Sequence, residues 1–224
     1  MRKRADKESI AILGGTGDLG TGLAIRWSKA GYRMIIGSRT LPKAQKAVAA
    51  LQEISPETPA EAMENGDAAA AGDIVVITVP AKHQVSTLAG VKDALRGKIL
   101  IDVTVPLEPP RVGTVQLPPE GSAGKRAQEL LGRKVMVVSA FQNVAAHLLQ
   151  KDIRIECDVL VAGDKRAARQ RVIDLIGEAG MTGWHAGPID NAAAAEALTS
   201  ILIQINRRHD ISHSGIRIVG QADH

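Results

Sequence analysis

Ser9-Ile10-Ala11-Ile12-Leu13-Gly14-Gly15-Thr16-Gly17-Asp18-Leu19-Gly20, close to the start of the chain, decides the fold. A short apolar run leads straight into a glycine turn with the spacing Gly15-x-Gly17-x-x-Gly20, and helical spacing follows from Leu19. Taken alone, three spaced glycines mean little. Between a strand and a helix each has its own role. Gly15 permits the tight turn, Gly17 lets a pyrophosphate approach the backbone, and Gly20 lets the helix pack close to the strand. The helix start, at Asp18 and Leu19, then offers unpaired N–H groups and the positive end of its dipole to the phosphates.

The next strand selects the dinucleotide. It is read at Arg33–Gly37 and ends in Ser38-Arg39, with Lys43 one turn later. An acidic residue there would bond a ribose 2′-hydroxyl and repel a 2′-phosphate. A hydroxyl and a guanidinium bind that phosphate instead, Lys43 adds a second positive charge, and Thr16 is within reach to add a hydroxyl. The residue types therefore predict NADP.

Outward from these motifs, strands are read at Asp73–Val79, Lys98–Val103 and Lys134–Val138, and helices at Leu19–Ala30, Leu41–Ile54 and His83–Leu95. Pro106–Gly124 is rich in Pro and Gly and reads as a long loop, a lid or wall for the site. After Ser139 the pattern changes, with helices at Val144–Leu149 and Arg166–Ala179, strands at Cys157–Ala162 and Gly215–Val219, and an alanine-rich helix at Asn191–Arg207. That last helix is apolar almost all round, so it must be buried, within the domain or across a dimer interface. The expected fold class is α/β: a Rossmann-type doubly wound, mainly parallel sheet over residues 1–139, and a smaller α/β domain over 140–224 that closes a cleft and forms the dimer.

Ligands of such sheets lie at the carboxyl ends of the strands. The nicotinamide pocket should therefore be lined by Thr78, Val79 and Pro80, by Val103–Pro106, and by Ser139, Ala140 and Gln142. His83, just beyond Pro80, either faces this pocket or caps its own helix. Absences narrow the chemistry. Tyr32, the only tyrosine, has Ile36 rather than a lysine four residues on, no lysine stands in Ser139–Asn143, and no serine nucleophile elbow appears. Cys157 begins an apolar strand, and His209, His213 and His224 lack ligand spacing, so neither a catalytic residue nor a metal is assigned. A site with phosphate anchors and no evident acid or base suits direct hydride transfer between two bound redox cofactors.

Bulk properties agree. The 224 residues carry a net charge of +4, but Lys and Arg are spread along the chain and aromatics make up only 2%, which argues against a nucleic-acid surface and for small anionic ligands. No apolar run is long enough for a membrane span, the basic Met1–Lys7 is followed by too short an apolar run for a signal peptide, and one cysteine permits no internal disulfide. A cytoplasmic location is expected.

At these positions the sequence resembles the NADPH-dependent reductases of the deazaflavin coenzyme F420. The resemblance is carried by Ile12–Gly20, Gly37-Ser38-Arg39, Ala71–Pro80, Val138-Ser139-Ala140, Cys157–Asp164, Ala186-Gly187-Pro188 and Glu196-Ala197-Leu198-Thr199. It implies a hydride passed directly between NADP(H) and coenzyme F420, with the deazaflavin in a cleft between two domains and a homodimer as the working form. By the same resemblance Thr16, Ser38, Arg39 and Lys43 match phosphate contacts, while Glu196 and Thr199 border the deazaflavin. The chain departs from the archaeal pattern in placing Phe141-Gln142-Asn143 where a histidine follows the Ser-Ala pair. From the residues alone, NADPH-dependent reduction of a flavin, pterin or imine, or a nonenzymatic NADP(H)-binding redox sensor, stay open as alternatives.

Overall fold

In a computed structural model that describes residues 7–220, the chain runs β1 (Ser9–Leu13), α1 (Asp18–Lys29), β2 (Arg33–Ser38), α2 (Leu41–Ile54), β3 (Ala60–Glu64), α3 (Asn65–Ala71), β4 (Ile74–Ile77) and α4 (Ala81–Val91). It continues through β5 (Ile99–Asp102), α5 (Ala123–Leu131), β6 (Met136–Ser139), α6 (Ala146–Leu149), β7 (Asp158–Ala162), α7 (Arg166–Glu178), β8 (Thr182–Gly187) and α8 (Ala192–His209). The residues before Lys7, and His224, lie outside the described range.

One eight-stranded sheet results, ordered β3-β2-β1-β4-β5-β6-β7-β8. Its pairings are parallel except β6 with β7, which is antiparallel and matches only Ser139 with Ala162. The chain moves outward from β1 to β3, then returns to place β4 on the other side of β1. This switch in direction opens a crevice at the carboxyl ends of β1 and β4, directly above the glycine turn. β7 and β8 extend the same sheet beyond residue 139.

The central strands β1 and β4 are buried on both faces, so they read as continuous apolar runs rather than alternating ones. On one face Leu23, Ala24 and Trp27 of α1 pack with Val172, Leu175 and Ile176 of α7. On the other, Leu88 and Val91 of α4 pack with Ala127 and Leu131 of α5. Trp27 is fully buried, donates its indole N–H to the Leu175 carbonyl at 2.9 Å and meets Phe141 edge to face at 5.9 Å. It ties α1, α7 and the segment after β6 together.

Four elements have weak sequence signals. β3 is an edge strand with no fully buried residue, and α3 is seven residues long with Gly66 near its start. α5 follows directly on the long loop and starts at a Ser122 cap, whose Oγ accepts the Lys125 N–H at 2.9 Å. β8 is an edge strand with Gly183 inside it.

Two expectations are corrected. Gly215–Val219 forms no strand: Ile216 O accepts from Asp158 N at 2.8 Å and Ile218 N donates to Asp158 Oδ2 at 2.7 Å, two bonds to a single residue and too few for a ladder. α8 is buried on one face only. Ala192, Ala195, Glu196, Ser200 and Leu202 face inward, whereas Ile201 and Ile205 are 47% and 37% exposed.

Candidate functional site: a cationic cavity at the sheet crevice

The glycine turn is built by close approach. Gly14, rather than Gly15, takes the left-handed conformation, with φ +73°, and a Cβ there would run into the Val79 side chain. Its N–H donates to Gly37 O at 3.0 Å, which ties the turn to β2. A Cβ on Gly20 would stand 2.9 Å from Gly15 Cα and 3.1 Å from Thr78 Oγ1, so α1 lies directly on the turn. Around Gly17 a Cβ would meet nothing within 4 Å. The backbone is open to a ligand where the phosphate reading needs it. Gly17 also precedes α1 with no side-chain cap, which leaves the first N–H groups, from Asp18 and Leu19, unclaimed by any side chain among the described residues. Thr78 serves the turn: its hydroxyl donates to Leu13 O at 3.1 Å.

Above the turn lies a cavity of about 510 Å³. Gly14 and Thr16 form its floor, Val79, Pro80 and His83 one wall, and Ser38, Arg39 and Lys43 the other. The structure thus brings the expected phosphate anchors of the glycine turn and the end of β2 together with Val79 and Pro80, which sequence reasoning gave to the nicotinamide pocket. His83 faces this cavity; its backbone N–H, not its side chain, bonds Pro80 O at 2.8 Å. Four polar lining residues escaped sequence reasoning: Lys46, Asn65, Ser86 and Thr87. Lys46 had a signal, since it falls three residues after Lys43 on the same helical face. Ser86 and Thr87 stand in the same relation to His83. Asn65 had none, because β3 and α3 were not legible.

The wall contains three cationic side chains and no carboxylate. Ser38 is buried at the end of β2, while Arg39 and Lys43 are exposed around it. A fixed hydroxyl ringed by exposed cations suits a phosphate dianion, because charge-assisted hydrogen bonds are the strong ones. The crevice, the open turn and the cationic wall together fit the phosphates and adenosine end of NADP.

Ser139, Ala140 and Gln142 do not line this cavity. They lie buried at the end of β6, within a second polar assembly. Gln142 Nε2 donates to Asp102 O at 3.0 Å and Ser139 Oγ at 2.8 Å, so both its N–H groups are spent, and its Oε1 has no partner among the described residues. Phe141 beside it has φ +74°, an unusual conformation for a bulky residue, held in place by the Trp27 contact. Asp102, at the end of β5, is fully buried. Its carboxylate accepts from Thr104 N at 2.9 Å and from Gln84 Nε2, and burial pushes its pKa up against these bonds. Gln84 is held in turn by Arg126 at 2.7 Å and by its own bond to Ala123 O at 3.0 Å.

Glu196 closes the ring. Its carboxylate, 1% exposed, accepts the N–H groups of Ala123 at 2.7 Å and Gly124 at 3.0 Å, at the start of α5. Burial raises its pKa to about 7, with the nearby Asp102 adding to the rise and the two N–H bonds and Arg126 opposing it. One turn along α8, the Thr199 hydroxyl bonds Gln142 O and accepts from Asn143 Nδ2, both at 3.0 Å. α8 therefore fixes both α5 and the end of β6. The long loop between β5 and α5 packs Gly113 against Gln204 of α8.

Fold and site define the class: a Rossmann-type dinucleotide-binding protein with a cationic cavity over its glycine turn. A family model described as NADP oxidoreductase, coenzyme F420-dependent, matches residues 9–106. The chain is 41% identical over 218 residues to the F420-dependent NADP reductase of Methanothermobacter thermautotrophicus, covering 93% of this chain and 94% of that one. The corresponding protein of Methanocaldococcus jannaschii is 39% identical over 221 residues, with 93% and 97% covered. Among solved structures, one from Arthrobacter sp. FB24, assigned provisionally as an F420-dependent NADP-reductase, superposes with a TM-score of 0.83 at 27% identity over 96% of this chain and all of that one. The chain belongs to the F420-dependent NADP reductase family.

Proposed function

We propose that this chain passes a hydride directly between NADP(H) and coenzyme F420. The observation that carries the reading is a cavity wall with three cations and no carboxylate, standing over a glycine turn whose Gly17 is open to a ligand. The family supports the choice of deazaflavin, through the names of relatives that match nearly end to end.

In this reading Gly15, Thr16, Gly17, Asp18, Leu19 and Gly20 present backbone N–H groups and a hydroxyl to the pyrophosphate. Ser38, Arg39 and Lys43 hold the 2′-phosphate. Thr78, Val79, Pro80 and His83 shape the path toward the nicotinamide, and Ser139, Ala140 and Gln142 support the deazaflavin side. With both cofactors bound, two electrons and a proton move as a hydride from one ring to the other, and solvent supplies or takes up the balancing proton. The chain binds, orients and excludes water, which requires no side-chain acid or base. We also infer a division of labour at residue 139, residues 1–139 holding NADP and 140–224 closing the cleft. The working form is a cytoplasmic homodimer with Ile201 and Ile205, one turn apart on α8, at the interface. No helix among the described residues is long and apolar enough to cross a membrane.

The test mixes purified protein with oxidised F420 and either NADPH or NADH, and follows loss of the deazaflavin absorbance. Fast bleaching by NADPH and little by NADH is expected. Arg39→Ala should weaken NADPH roughly 10- to 100-fold, as loss of a charge-assisted bond implies, and leave NADH unchanged. Tight NADPH binding without bleaching would remove F420 as the partner. Light scattering after size exclusion should give twice the 23.6 kDa chain mass, and Ile205→Glu should give one.

A further inference from the structure

Gln84 stands where the pattern of α4 calls for an apolar residue. With Leu88 and Val91 it forms the inward face of the helix, at positions i, i+4 and i+7, and none of its surface is exposed. Its neighbours His83, Ser86 and Thr87 line the cationic cavity. Gln84 Nε2 donates to Asp102 Oδ2 and to Ala123 O at 3.0 Å, while Oε1 accepts from Arg126 Nε at 3.0 Å and Nη2 at 2.7 Å. The donor end faces a carboxylate and a carbonyl, and the acceptor end a guanidinium, so only one orientation of the amide satisfies every partner.

Leu88 and Val91 meet Ala127 and Leu131 across an apolar surface, which holds α4 near α5 but does not stop the helices sliding. The Gln84 bonds are directional and remove that freedom. Among the described residues no other side chain of α4 bonds a different element. Each partner leads on across the sheet edge. Ala123 N donates to Glu196 of α8, and Asp102 O accepts from Ala140 N at 3.1 Å and Gln142 Nε2 at 3.0 Å. One amide thus joins the helix that walls the cavity to the end of β5, the start of α5 and, through them, the segment after β6. We propose that Gln84 is a positioning residue for hydride transfer. It registers α4, and with it the nicotinamide end of the dinucleotide, against the β5–β6 edge that supports the second ring. It acts through these partners and not by contact with a cofactor. Apolar packing of equal volume would hold the fold and lose the register, since a buried polar tie specifies an arrangement more than it stabilises one.

This inference rests on the hydride-transfer reading above. The test follows a single turnover of the whole protein by stopped flow, with NADPH and with NADPH deuterated at the transferred position. The affinity for each cofactor is measured separately. Gln84→Met keeps the volume and cuts the amide bonds. Gln84→Glu keeps the Arg126 bonds but opposes Asp102 with a second carboxylate. Each should slow hydride transfer at least about tenfold, with a full primary isotope effect and both dissociation constants within about twofold of wild type. Adding Asp102→Asn to Gln84→Glu supplies a donor for the new carboxylate and restores the tie, so the rate should return to within about threefold of wild type. Transfer at the wild-type rate in Gln84→Met would overturn the proposal, as would a loss confined to the two dissociation constants. Should Gln84→Met not fold, the paired substitutions decide. A double variant that fails to fold, or stays as slow as Gln84→Glu, overturns the proposal. Failure of the wild type itself to reduce F420 would overturn the parent reading and this one together.

Discussion

Glu196 makes the stability of this fold depend on pH in an unusual direction. The carboxylate is 1% exposed, and burial lifts its pKa from 4.5 to about 7. In the unfolded chain the same group titrates near its ordinary value, so between pH 4.5 and 7 the folded state holds the extra proton. A raised pKa in the folded state means that the group's contribution is fully present below pH 4.5 and is lost as pH rises through 7. At about 1.4 kcal/mol per pH unit, the gap corresponds to about 3 kcal/mol lost across that window. Glu196→Gln removes the titration. Its amide oxygen still accepts one of the two N–H bonds, but its NH2 faces the other donor, so the variant starts about 1–2 kcal/mol less stable in acid. The assay is guanidinium unfolding of both proteins at about pH 5, 6, 7 and 8 at fixed ionic strength. The advantage of the wild type should shrink from pH 5, vanish or reverse by about pH 7 and level off by about pH 8. Two parallel stability profiles would show that Glu196 does not carry the titration, and would refute the reasoning.

Two further substitutions probe the framework. Gly20→Ala places a methyl 2.9 Å from Gly15 Cα, a backbone atom that cannot swing aside, so the turn must shift; NADPH binding measured by fluorescence should fall at least tenfold, with a lowered melting temperature. Trp27→Ala empties a fully buried site and removes both the Phe141 contact and the indole bond to the Leu175 carbonyl, which should cost about 3–5 kcal/mol in chemical denaturation.

What was legible in the sequence followed from local rules. The strand–turn–helix at residues 9–29 and the Ser38-Arg39 pair carry their chemistry within a few residues, so spacing and residue type were enough to place them. The misreadings came from context. Gly14 and Gly15 are interchangeable on paper, and only the approach of Val79, from the far end of β4, sends the left-handed conformation to the first. α8 looked apolar all round, yet an exposed Ile201 and a buried Glu196 reverse what hydropathy suggests, because Glu196 has the start of α5 to bind. Asn65 was invisible since an edge strand with no buried residue and a seven-residue helix leave little period to read.

The two polar regions of the sheet edge solve opposite problems. Around the glycine turn the cations are exposed and, among the described residues, unpaired by acids, so their attraction is open to an incoming anion, and screening by salt is the cost of that openness. Under β5 and β6 the polar groups are buried and joined hand to hand, from Arg126 through Gln84 to Asp102, and from Glu196 to α5. Little there remains to attract a charge; what remains is rigidity, with the strained Phe141 and the free buried acceptor Gln142 Oε1 side by side. Hydride transfer between two rings asks for this combination. One cofactor must be captured from solution by charge, which tolerates motion, and the reacting carbons must then be aligned on a surface that does not move. The ionisable groups on the rigid side, Asp102, Glu196 and Arg126, are each engaged by neighbouring polar groups, so on the proposed reading the charges left free to attract an anion lie at the end of the cofactor where no bond is made or broken.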